Sequence, residues 1–256
     1  MRNTNPGWLA ALMTSLVLLS VAACDPARDY ASGDHCRKVS HKSNPYVVCR
    51  FNADTDDIRL FYANEQGEPY LQFDALADTV EAEGKQLVFA MNGGMYHDDR
   101  RPVGYLRDAQ GDKASVNTND GPGNFHMKPN GVFWVEGDRA GIDESQAYLD
   151  QEIDPEFATQ SGPMLVIDGE IHPSINPGGT SRKRRNGVGV SRNGRTVYFA
   201  ISDVPVTFHD FASLFRDRLE APDALFLDGQ VSRLYAPAIA RNEPGLDIGP
   251  IVGVVE

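Results

Sequence analysis

Four short stretches of this 256-residue chain combine polar residues with glycine directly after or before apolar runs. Met91-Asn92-Gly93-Gly94-Met95-Tyr96 sets two glycines after a buried-looking run, and glycine lets a backbone approach a ligand closely and turn its amides toward it. Ser161-Gly162-Pro163-Met164 is a glycine–proline turn entering an apolar run. Arg185-Asn186-Gly187-Val188-Gly189 puts an arginine before a glycine-bearing strand, and Arg185 closes the basic run Arg182-Lys183-Arg184-Arg185. In an otherwise acidic chain that run sets up a local field for anions such as phosphate or carboxylate, with a solvated loop as the plainer alternative. Leu227-Asp228-Gly229-Gln230-Val231-Ser232 ends an apolar run in an aspartate, which is costly there unless it has partners. Strand ends of this kind are where a scaffold positions reactive groups, although each stretch alone also reads as an ordinary tight turn.

The order of the stretches is more specific than any one of them. Asn92-Gly93-Gly94, Ser161-Gly162-Pro163, Arg185 before Gly189, then Asp203, a helix, and Leu227-Asp228-Gly229 resembles the phosphodiester glycosidase family over roughly Leu87 to Tyr235. It looks closest to a bacterial branch of unknown function. In that family the first loop places an aromatic directly after Asn-Gly-Gly, where this chain has Met95 and then Tyr96. The last motif usually reads Leu-Asp-Gly-Gly-Gly-Ser-Ser. Here Gln230 and Val231 replace two glycines and Arg233 replaces the second serine, while Asp228, Gly229 and Ser232 match.

The resemblance implies cleavage of a sugar–phosphate bond at the anomeric carbon. A phosphate ester is already a good leaving group, so it needs charge stabilisation more than protonation, and a bidentate Arg185 suits that role. A carboxylate must activate water or stabilise an oxocarbenium-like centre. Asp228 is the first choice for it and Asp203 the second. The amides of Gly93 and Gly94, with Asn92, are expected to hold phosphate or sugar hydroxyls. Ser161, Gly162, Gly229 and Ser232 complete the expected substrate-binding set. Ser232 is not read as a nucleophile, because no motif places a base beside it. His209, in the first turn of a helix that starts at Thr207, is either a general acid or phosphate donor, or a helix-face histidine without a role. His97-Asp98-Asp99-Arg100 reads as a solvated loop rather than a metal site. Asn117 to Asn124 lacks the calcium-loop spacing with its terminal glutamate. No metal and no cofactor is expected.

The elements that must position these residues alternate between short apolar runs and turn signals. Tyr46–Phe51, Ile58–Tyr62, Leu87–Met91, Gly131–Val135, Met164–Ile167 and Ala224–Leu227 read as strands. Val188–Ser191 and Thr196–Ile201 flank Arg192-Asn193-Gly194 as a hairpin. Phe73–Glu83 has apolar residues at helical spacing. Thr207–Leu219 carries an apolar stripe of Phe208, Phe211, Ala212, Phe215 and Leu219, with Thr207 and Asp210 resembling a capping box. The fold class is α/β (α+β), a single domain with a mixed β-sheet and flanking helices.

The N-terminus sets the compartment. Arg2 precedes an uncharged run from Trp8 to Ala23, which suits a signal peptide and is short of the roughly 20 apolar residues of a membrane span. Val21-Ala22-Ala23-Cys24 resembles a bacterial lipobox. Residues 1–23 are therefore expected to be a lipoprotein signal peptide, 24–43 the lipidated Cys24 and a polar tether, and 44–256 the phosphodiester glycosidase-like domain. Asp25 after the cysteine favours the periplasmic face of the inner membrane. Cys36 and Cys49 remain as an even pair in an oxidising compartment and read as a disulfide. A metal site built from them with His35 and His41 is the sharper alternative, and no CxxC pair supports it.

The net charge of −12 argues against nucleic acid as a partner, since an acidic chain gains nothing from counterion release. The expected partners are a sugar-phosphate or envelope glycan substrate and, through the lipid, a membrane. The sequence leaves the oligomeric state open. The function that follows is a periplasmic hydrolase cleaving a sugar-1-phosphodiester in cell-envelope glycans or their precursors. A non-catalytic envelope glycan-binding lipoprotein is the alternative, motivated by the altered Asp228–Ser232 loop. A phosphatase-type hydrolase would need a metal cluster or an activated nucleophile, and neither is visible.

Overall fold

The computed structural model describes residues 1–2, 35–229 and 231–256. Cys24, where lipidation is expected, and nearly all of the expected signal peptide lie outside the described residues.

In chain order the elements are β1 (Cys36–His41), β2 (Asn44–Asn52), β3 (Asp57–Phe61), α1 (Phe73–Ala82), β4 (Leu87–Asn92), β5 (Leu106–Asp108), β6 (Gly111–Ala114), β7 (Gly131–Glu136) and β8 (Arg139–Glu144). Then come α2 (Ser145–Leu149), β9 (Phe157–Ser161), β10 (Met164–Ile167), β11 (Glu170–Ile171), β12 (Asn186–Val190), β13 (Thr196–Ser202), α3 (Phe208–Ser213), β14 (Asp223–Asp228), β15 (Leu234–Ala236), β16 (Arg241–Asn242) and β17 (Ile251–Val255).

The expected α+β class holds, with the strands divided among three sheets. The first runs β1-β2-β13-β12-β14-β10-β11, the second β16-β15-β4-β17-β3 and the third β6-β5-β9-β7-β8. Their pairings are antiparallel rather than mixed. Many neighbours, such as β1–β2, β7–β8 and β12–β13, are joined by turns far too short for the crossover that parallel pairing needs.

Residue alternation decides what each face buries. In β2, Val47, Cys49 and Phe51 point into a central core shared by all three sheets, where they meet Phe89, Phe133 and Phe199. The alternate residues Tyr46 and Val48 lie on the outer face with Phe211 and Phe215 of the α3 segment. Thr207 caps α3 by accepting a 3.0 Å hydrogen bond from the Asp210 amide, as its sequence suggests. The helix runs on into a π-type turn over Leu214–Arg218. On the other side, Phe73, Leu76 and Val80 of α1 cover the second sheet through Leu87, Ala90 and Ile251.

The segment expected as tether differs from that reading at its C-terminal end. Cys36–His41 forms the edge strand β1, where Cys36 lies opposite Cys49 and the two are joined in a disulfide. Ladder hydrogen bonds and the covalent link hold there a polar strand that its own apolar content would not.

Candidate active site

The C-terminal ends of three strands, one from each sheet, meet at one point: Asn92 of β4, Ser161 of β9 and Asp228 of β14. The polar side chains at those ends act as joints between the sheets. Ser161 Oγ donates to Leu227 O at 3.0 Å, linking the third sheet to the first. Thr159 Oγ1 donates to Gly93 O at 2.8 Å, linking the third to the second. Asn186 Nδ2 donates to Asn92 O at 2.8 Å and Asn92 Nδ2 donates to Asn186 Oδ1 at 3.3 Å, linking the second to the first. Asn186 Oδ1 also accepts from the Asp228 amide at 3.1 Å and from Ser232 Oγ at 3.3 Å. Ser232 Oγ lies 3.0 Å from Asp228 O, and Asn92 Oδ1 accepts from the Arg233 amide at 3.0 Å. Asn92, Asn186 and Ser161 are fully buried, where an unpaired amide or hydroxyl would be costly, and this mutual satisfaction removes the cost.

Above the joint lies a cavity of about 530 Å³ into which Asp228 opens, lined also by Tyr96, His97, Arg100, Phe125, His126 and Asp247. Asp228 is 8 % exposed, and its Oδ1 accepts from the Gly229 amide at 2.5 Å. Burial first, and the Asp228 charge second, push the Tyr96 phenol up to about 12, so it keeps its proton at neutral pH. That hydroxyl donates to Asp247 O at 3.2 Å, and the Arg100 guanidinium lies 5.4 Å from the ring centre. His126 Nδ1 lies 3.0 Å from Asn119 O. A carbonyl only accepts, so Nδ1 carries the proton of the neutral ring and Nε2 keeps a lone pair.

Several expected site residues take other positions. Arg185 is 1 % exposed, with its guanidinium 3.6 Å from the Phe208 ring centre. Its Nε donates to Val206 O at 3.0 Å and an Nη to Ser181 O at 3.1 Å, and it is not a cavity-lining residue. Burial pulls the guanidinium down to about 10, which leaves it cationic at neutral pH. Asp203 pairs with Arg241 at 2.9 Å and is not a cavity-lining residue. His209 is half-buried on α3, also away from the lining. The Gly93 amide donates to Pro250 O at 2.7 Å, and a Cβ on Gly93 would stand 2.7 Å from Val252 N. Gly94 packs on Thr159, and Gly162 on Phe125 and Asn130, where a side chain would collide. These glycines permit close approach of protein to protein rather than of protein to ligand.

His97, read as part of a solvated loop, is exposed on the cavity wall. The sequence reading passed over His126, Asn186 and the structural use of Arg233. Asn186 had a visible signal, since an asparagine opening an all-apolar strand must be hydrogen-bonded. His126 had none, because its place depends on how the loop before β7 folds over the strand ends.

Residues 85–254 match the family model described as phosphodiester glycosidase. The uncharacterized protein YigE of Escherichia coli (strain K12) is 37% identical over 225 residues, covering 87% of this chain and 82% of that one. Among solved structures, the catalytic domain of zebrafish N-acetylglucosamine-1-phosphodiester alpha-N-acetylglucosaminidase, auto-inhibited by its pro-peptide, superposes with a TM-score of 0.57 at 14% identity, over 86% of this chain and 81% of that one. A hypothetical protein from Synechocystis superposes with a TM-score of 0.54 at 15% identity, over 86% of this chain and 61% of that one.

Proposed function

The chain belongs to the phosphodiester glycosidase family, and from that premise we propose that it hydrolyses the sugar–phosphate bond of a sugar-1-phosphodiester in cell-envelope glycans or their precursors. The observation that carries this reading is the carboxylate of Asp228, opening into a cavity while its main chain is fixed by Asn186. A carboxylate on a fixed main chain, facing a cleft that substrate and water can enter, is what activation of water or stabilisation of an oxocarbenium-like centre requires. Tyr96 supplies a hydroxyl that stays protonated beside that charge. His126, a lining residue whose Nε2 keeps a lone pair, is assigned proton exchange with the leaving oxygen or the water. Arg100 and His97 on the wall meet the phosphate. Arg185 acts from beneath as a fixed positive charge, a revision of the bidentate clamp that its sequence position suggests.

In the same reading the chain is exported, lipidated at Cys24 and held at the periplasmic face of the inner membrane. The Cys36–Cys49 disulfide supports an oxidising compartment. A non-catalytic glycan-binding role becomes the better account if the cavity binds sugar phosphates without turnover.

The test is hydrolysis of UDP-N-acetylglucosamine and of a nitrophenyl-phosphate diester of N-acetylglucosamine by the soluble protein from Asp25 onward. Wild type is expected to release free sugar, and Asp228→Asn to fold normally and release none. Turnover retained in that variant would remove Asp228 from the mechanism.

A further inference from the structure

Arg233 stands where the resembled motif has a serine, and it is 5 % exposed. Its guanidinium makes more hydrogen bonds than a serine hydroxyl could. Nε and one Nη donate to Glu243 O at 2.8 and 2.6 Å, the other Nη donates to Leu246 O at 2.8 Å, and Gln72 Oε1 accepts at 2.9 Å. The same guanidinium sits 5.0 Å from the Phe73 ring centre at the start of α1. Gly245 packs on its stem, since a Cβ there would lie 3.1 Å from Arg233 Cδ. At the other end, the Arg233 amide is held by Asn92 in the joint beneath Asp228.

The segment held this way ends at Leu246 and Asp247, both of which line the cavity that Asp228 opens into. Gln72 repeats the tie by donating to Asp247 Oδ1 at 2.7 Å. Asp247 O in turn receives the Tyr96 hydroxyl. One planar fork therefore couples the loop after Asp228 to a wall whose Glu243 and Leu246 carbonyls a shorter side chain would not reach.

We propose that Arg233 is a specificity-determining positioning residue, holding 243–247 as the wall that sets which phosphodiester fits beside Asp228. The proposal rests on the hydrolase reading above for its substrate, but not for its geometry. A lysine at this place offers a point charge in place of the fork and is expected to restore the wall only in part.

Two measurements test it. Limited proteolysis with thermolysin, which cuts before leucine, is expected to cleave Arg233→Ser between Gly245 and Leu246, with wild type resistant and Arg233→Lys between them. Equal resistance of wild type and Arg233→Ser would show that the wall stands without the arginine and would overturn the proposal, whatever the enzyme turns over. In hydrolysis of the two probes named above, Arg233→Ser is expected to change the ratio of their kcat/KM values tenfold or more, through KM, with kcat for the less affected probe within threefold of wild type. An equal loss of kcat for both probes would mark a purely structural role and overturn it as well. Absence of turnover by wild type would count against the hydrolase reading, and the proteolysis result would then decide the proposal.

Discussion

The side-chain oxygen of Asn186 accepts from donors on three segments: Asn92 at the end of β4, the amide of Asp228, and Ser232 in the loop beyond. Its amide nitrogen reaches back to Asn92 O. Asn186→Ala strands these partners in a site with no room for bulk water, each at a cost of about 1–3 kcal/mol. The expected outcome in urea unfolding is a loss of about 2–4 kcal/mol, with turnover falling because the Asp228 amide loses its anchor. A loss below 1 kcal/mol would mean that the joint relaxes around the gap. Asn92 and Ser161 were legible as special residues but not in their role. A polar side chain at a strand end serves a ligand or a neighbouring sheet according to which way the pleat turns it. That depends on register, which the local sequence does not specify. Asp223 at the other end of β14 offers a residue-scale check of opposite sign. Burial raises its carboxyl above the ordinary 3.8, outweighing the hydrogen bond from the Asp168 amide, with the charges of Asp168 and Asp143 adding to the rise. The folded state therefore disfavours the charged form, and Asp223→Asn is expected to raise Tm at pH 7, with the gain shrinking as pH falls to that range. An unchanged Tm across both pH values would refute it.

Among the elements, the α3 helix and β12 show how packing reuses a sequence signal. In the sequence Gly187 and Gly189 mark only a glycine-bearing strand after an arginine. The structure shows what they make room for: a Cβ on Gly187 would stand 3.2 Å from the Phe211 ring of α3, and one on Gly189 2.6 Å from the Phe215 ring in the turn after it and 3.0 Å from Ala221 Cβ. Gly189→Ala is expected to cost about 1–3 kcal/mol by overpacking, read as a lower Tm with turnover at permissive temperature preserved. Preserved stability would mean that α3 can shift outward. The α3 helix itself was legible because its cap and apolar stripe agree. The strands of the third sheet were mostly hidden, since β5 and β6 are short and carry few apolar residues. The edge strand β1 was hidden too, because its hold comes from β2 and from the disulfide rather than from its own composition. Cys36→Ser with Cys49→Ser is expected to lower stability by about 2–3 kcal/mol for a cross-link of this loop length, measured by urea unfolding against the oxidised parent.

Across the whole molecule, with its net charge of −12, acid response is decided by a few groups whose titration differs between folded and unfolded chain. Burial would raise the Glu243 carboxyl, but hydrogen bonds and charges from Arg184 and Arg241 outweigh it and hold it below the ordinary 4.5. The Arg184 contact is 2.6 Å, and Arg241 bridges on to Asp203 at 2.9 Å, so the network ties the segment before β12 to β13 and to the β15–β16 hairpin. A carboxyl depressed in the folded state contributes stability above its unfolded pKa and loses it as pH falls through the folded value. His172 acts in the same direction at higher pH. It is 1 % exposed, and burial lowers its ring below the ordinary 6.5, so the unfolded chain takes up its proton first as pH falls. Stability is therefore expected to decline in two stages, gently below about pH 6.5 and steeply below about pH 4.5. Glu243→Gln separates the stages: it should lower stability at pH 7, flatten the steeper limb and leave the gentler one in place. Urea midpoints between pH 3 and pH 8 for both proteins would show this, and a variant whose steep limb matched wild type would place the acid-sensitive contact outside the Glu243 network.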